Sequence, residues 1–129
     1  MDLESKRALI VEDEGLIAMV VEAYLEDLGY TVLAIAAQLE EGMEAAREAA
    51  IDIAVLDVNL AGKVSYPIAE ILLERGIPFL FATGYGTAGC PPEFRATPVV
   101  AKPFSKEDLA KGLVAAGGSG PSPASQADD

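Results

Sequence analysis

An open parallel β-sheet with helices on both faces is the fold class this sequence predicts. Three observations predict it. Short apolar, strand-forming runs alternate five times with segments of helical periodicity. The run Ile53-Ala54-Val55-Leu56 is continuously apolar, as a strand covered on both faces requires. The chain has 129 residues, which suits one domain. A domain of this size buries roughly two-thirds of its unfolded surface and needs no disulfide or structural metal to fold.

Composition narrows the function classes. One cysteine, Cys90, excludes an internal disulfide, and one cysteine with no histidine disfavours a zinc centre. The formal net charge of −12 makes nucleic acid a poor partner and favours basic or metal-bearing ones. Charged or turn residues interrupt every apolar run before it could span a bilayer, so no membrane insertion is expected. Residues 1–6 are charged and lack the apolar core of a signal peptide, so the expected location is cytoplasmic.

Arg7–Val11 reads as the first strand and runs directly into Glu12-Asp13-Glu14. Leu16, Ile17, Val20, Val21, Tyr24, Leu25 and Leu28 recur at helical spacing and are expected to face inward. Gly29 ends that helix. Thr31–Ala36 is a second strand, and Leu39, Met43, Ala46 and Ala50 mark a second helix. Ile53–Asp57 is the third strand, followed by a loop over residues 59–65. Pro67 suits the first turn of a third helix, and Gly76 closes it.

Residues 78–83 form a fourth strand. Residues 84–98 then hold Gly84, Gly86, Gly89, Pro91 and Pro92. Interior glycine costs a helix about 1 kcal/mol and proline about 3 kcal/mol, so the helix due here is expected to be short, mobile or missing. Val99–Ala101 is a brief fifth strand, and Ser105 with Asp108 forms a capping-box pattern before the last helix. From residue 116 the composition turns to Gly, Ser, Pro and Ala, which cannot bury enough apolar area to order itself. A folded domain over 1–115 and a flexible tail over 116–129 are expected.

The strand order 2-1-3-4-5 of flavodoxin-like sheets opens a crevice between strands 1 and 3, beyond their carboxyl ends. Glu12, Asp13 and Asp57 converge there, and strands 4 and 5 deliver Thr83 and Lys102 to the same edge. Clustered carboxylates repel, and a hard divalent cation relieves the repulsion. Mg²⁺, or Mn²⁺ in its place, would take Asp13, Asp57 and the Asn59 backbone carbonyl directly, and Glu12 through water. A carboxylate is also a nucleophile toward phosphorus, so Asp57 is the expected phosphoacceptor. Lys102 and the Thr83 hydroxyl would hold the other phosphoryl oxygens, and Gly84 would leave room for a donor.

Those residues carry a resemblance. Glu12-Asp13, Asp57, Thr83 and Lys102-Pro103-Phe104, in this order and spacing, resemble the signature of bacterial response-regulator receiver domains. Pro78-Phe79-Leu80-Phe81-Ala82-Thr83-Gly84-Tyr85 is similar to the motif of a subgroup of single-domain receivers called the FAT GUY family. The resemblance implies a stand-alone regulator in a two-component system or phosphorelay. Asp57 would take phosphoryl from a histidine kinase, in that subgroup often of the HWE type. A histidine phosphotransfer protein or a downstream regulator would be a further partner. It also implies a cis Lys102–Pro103 bond. Receivers commonly carry an aromatic switch residue three positions before the lysine; here that position is Val99, and Tyr85 stands as the alternative switch aromatic.

Plainer readings exist for each residue. Glu12-Asp13-Glu14 would suit a helix start, Asp57 a turn cap, Asn59 a turn, and Lys102 an ordinary surface site. Tyr85 could be a loop aromatic without a switching role. Among competing functions, a Mg²⁺-dependent phosphatase or phosphotransferase would also use an aspartyl-phosphate. Enzymes of the haloacid-dehalogenase type place a second Asp two residues on, where this chain has Asn59, which cannot serve as acid and base. A phosphate-independent adaptor is the third reading, and the intact set Asp13, Asp57, Thr83 and Lys102 argues against it.

Overall fold

The computed structural model describes residues 6–84, 92–94 and 96–117. Strand β1 (Arg7–Val11) leads into helix α1 (Gly15–Asp27), strand β2 (Thr31–Ala36), helix α2 (Leu39–Glu48) and strand β3 (Ile53–Asp57). A two-residue pair, β4 (Asn59–Leu60) and β5 (Lys63–Val64), precedes helix α3 (Tyr66–Arg75). Strand β6 (Phe79–Thr83), strand β7 (Val99–Ala101) and helix α4 (Lys106–Ala115) complete the described chain. The main sheet has the order β2-β1-β3-β6-β7, and every pairing in it is parallel. This is the flavodoxin-like order expected above.

Alternation along each strand divides the core in two. Leu9, Val11, Ala54, Leu56, Phe79 and Phe81 pack under α2 and α3. Ala8, Ile10, Ile53, Val55, Leu80 and Ala82 pack under α1 and α4. All five residues of β3 and all five of β6 are buried, so the central strands are covered on both faces as the apolar runs require. The sheet therefore sets Asp57 at the end of one of two strands buried along their whole length.

Two expectations need correction. Leu16 and Val20 do not face the core: Leu16 is 79% exposed and Val20 46%. The buried stripe of α1 is Ala18, Val21 and Leu25. At 3.6 residues per turn the apolar arc of this helix is wider than its contact with the sheet, so its rim meets solvent. Residues 59–65 are not a plain loop. Asn59 pairs with Val64 and Leu60 with Lys63, antiparallel, around Ala61 and Gly62. Both turn residues have positive φ, 52° and 92°, which is the turn whose twist suits a two-residue hairpin.

Within residues 84–98, the described part carries only a 3-10 turn, Pro92–Phe94. Its Phe94 is buried against Tyr66, Phe79 and Phe81. The expected capping box is formed: Asp108 N–H donates to Ser105 Oγ at 3.1 Å and Ser105 N–H to Asp108 Oδ2 at 3.1 Å. Helix α3 ends at Gly76, whose φ of 71° is open to glycine without steric cost. Ala116 and Gly117 form a turn after α4, and residues 118–129 lie outside the described chain. Among the described residues no helix is long and apolar enough to cross a membrane.

Candidate functional site

Parallel pairing sets the site. Val11 is the register partner of Leu56, so Glu12 and Asp57 follow side by side at the carboxyl ends of β1 and β3. Glu12 continues the ladder, its N–H donating to Ala36 O at 2.9 Å. Asp57 is level with Ala82, and Thr83 with Ala101. Lys102 N–H donates to Thr83 O at 2.9 Å, which carries the lysine one residue beyond the end of β7. Four strand ends thus deliver Glu12, Asp57, Thr83 and Lys102 to one edge, because adjacent parallel strands finish together.

The side chains meet there. Lys102 Nζ lies 2.9 Å from Glu12 Oε1 and 3.3 Å from Asp57 Oδ2. Asp57 Oδ1 accepts the Asn59 N–H at 3.4 Å, and Glu12 Oε2 accepts the Glu14 N–H at 3.2 Å. Glu12 is 4% exposed and Asp57 8%. Asp13 is more open to solvent, and its carboxylate joins theirs with ligand oxygens all within 4.8 Å of one another. Thr83 is buried at the end of β6, while Gly84 is exposed with open space around its Cα. Tyr85 lies outside the described residues. Val99 is half-buried in β7. The Lys102–Pro103 peptide is cis, as the resemblance implied.

Burial pushes the Asp57 carboxyl up to about 6, and the neighbouring Glu12 charge adds to the rise. Lys102 and the Asn59 N–H pull it back. Burial also works against the charge on Lys102, but its hydrogen bond to Glu12 and the charges of Asp57 and Glu12 outweigh that and raise its pKa. Three carboxylates facing one ammonium leave a net negative charge. Hard oxygen donors at this spacing fit Mg²⁺, which takes one or two carboxylates and keeps waters. Lys102 engages both Glu12 and Asp57, and Asp13 is the most solvent-open carboxylate of the three.

Beside this cluster runs an apolar groove of about 420 Å³, walled by α1 residues Leu16, Ile17 and Val20 and by Pro103 and Phe104. Sequence periodicity placed Leu16 and Val20 inside and so hid this groove. Phe104 is anchored by Tyr24, with ring centroids 6.4 Å apart. The hairpin after Asp57 was also missed. Its Ala61-Gly62 turn lacks the Asn-Gly or Asp-Gly pair that announces such turns.

The family model described as the response regulator receiver domain matches residues 8–113. The regulator PhyR of Methylorubrum extorquens is 34% identical over 106 residues, covering 78% of this chain and 39% of that protein. The regulatory protein VanR of Enterococcus faecium is 34% identical over 84 residues, covering 64% of this chain and 36% of that protein. The chain therefore spans well under half of these curated relatives. Among solved structures, SdrG from Sphingomonas melonis Fr1 superposes with a TM-score of 0.78 at 42% identity, covering 87% of this chain and 96% of that one.

Proposed function

The chain belongs to the response regulator receiver domain family, and from that premise we propose that it is a phosphoacceptor of two-component signalling whose Asp57 takes phosphoryl from a kinase phosphohistidine. The observation that carries the reading is the bridge from Lys102 Nζ to both Glu12 and Asp57, with Asp13 completing the carboxylate cluster. An Asp57 carboxylate oxygen attacks phosphorus as the bond to the histidine nitrogen breaks, and the imidazole leaves with the bonding pair. Lys102, already at Asp57, exchanges part of its contact for a phosphoryl oxygen. Thr83, level with the site, offers its hydroxyl to another. Asp13, Asp57 and the Asn59 carbonyl would hold a divalent cation, which would neutralise the phosphoryl charge.

Phosphorylation at this edge would then change what the domain binds. The test is intact-mass analysis after incubation with acetyl phosphate and Mg²⁺. One phosphoryl adduct is expected, absent in Asp57→Asn and without the metal. An adduct that persists in Asp57→Asn would refute the assignment.

A further inference from the structure

The hairpin after Asp57 is ordered by more than its two short strands. An isolated two-stranded hairpin is marginal in water. Here Leu60, 2% exposed, is rooted in the core under α2 and α3. Ser65 N–H donates to Val58 O at 2.8 Å and closes its base. At the tip, Gly62 N–H donates to the Asn59 side-chain oxygen at 2.8 Å. The Lys63–Glu40 pair on the outside is exposed, and such pairs contribute little. The tip bond is therefore what ties the turn back to Asn59, the residue whose own N–H reaches Asp57 Oδ1.

We propose that this hairpin is a positioning device: the Asn59 side chain, by holding Gly62, presets the Asn59 main-chain carbonyl as a cation ligand beside Asp57. The inference rests on the cation reading above. A loop that orders only when the ion arrives spends part of the binding energy on its own ordering, and a preformed hairpin does not. The side chain of Asn59 then acts without touching the ion. Ala61 sits at positive φ because the turn demands it, although an Asn there would adopt that conformation at less cost.

The test uses Mg²⁺ titrations of the full chain, followed by amide chemical shifts. Asn59→Ala keeps the main-chain carbonyl and deletes only the tip bond. It is expected to weaken Mg²⁺ about fivefold, the worth of one hydrogen bond. It is also expected to speed metal-free hydrogen exchange at the Ser65 amide. Adding Ala61→Asn, which favours the same turn, is expected to recover both the affinity and the slow exchange. Unchanged affinity in Asn59→Ala, or a loss that Ala61→Asn does not recover, would overturn the proposal. If the unsubstituted chain bound no Mg²⁺, the cation reading itself would fall and the proposal with it, so the two failures are distinguishable.

Discussion

Asp57 is where a single residue's energetics and chemistry pull against each other. Its carboxyl titrates at about 6 because burial and Glu12 disfavour the charge more than Lys102 and the Asn59 N–H favour it. The folded state therefore holds its proton to higher pH than the unfolded chain does, so its contribution to stability falls as pH rises from about 4 to about 6. Above that window the charged residue costs the fold about 3 kcal/mol, at 1.36 kcal/mol for each unit of pKa. Asp57→Asn is thus expected to stabilise the protein by about 3 kcal/mol at neutral pH, with the gain vanishing below pH of about 4. Urea unfolding at the two pH values checks it; an equal effect at both would refute the assigned cause. Mg²⁺ should lower the Asp57 titration, which carboxyl carbon shifts would follow.

At the scale of elements, two serines at helix starts call for opposite outcomes. Ser105 caps α4 through Asp108 N–H, so Ser105→Ala should cost about 1 kcal/mol. Ser65 precedes α3, but its Oγ is buried without a hydrogen-bond partner among the described atoms. An unsatisfied buried hydroxyl is a cost, so Ser65→Ala should be neutral or stabilising by up to about 1 kcal/mol. Thermal melts of the two variants settle the signs. The sequence announced Ser105, because Asp108 stands three residues on, but not Ser65, whose burial depends on the hairpin and core closing around it. The same divide runs through the fold. β3 was legible because each of its residues up to Asp57 is apolar, and the site was legible because parallel strands that end together must bring Glu12, Asp57, Thr83 and Lys102 together. The exposed rim of α1 was not, since periodicity gives a helix's apolar arc and not how much of it the sheet covers. The hairpin was not, since Ala61-Gly62 is weak turn chemistry held by Leu60 in the core and by the Asn59 side chain.

For the whole molecule, charge and site must be separated before a cation effect means anything. The chain carries a formal charge of −12, so self-repulsion opposes the compact state and any salt relieves part of it. A rise in melting temperature on adding Mg²⁺ is therefore no sign of a site by itself. At constant ionic strength the general term is held fixed, and only binding to the folded state remains. That term is RT ln(1 + [L]/Kd), about 2.7 kcal/mol at a hundredfold excess over Kd, or roughly 10 °C for a domain of this size. It is expected in the unsubstituted chain and lost in Asp13→Asn, which removes a carboxylate near Asp57 but leaves the Lys102 bridge intact. The general salt response should be nearly the same in both, because one charge among many hardly alters it. A Mg²⁺ shift that survived in Asp13→Asn at fixed ionic strength would mean that the ion screens the surface and does not enter the cluster. If the shift vanishes, the acidic surface and the acidic site are different things, and only the site depends on the order in which the strands meet.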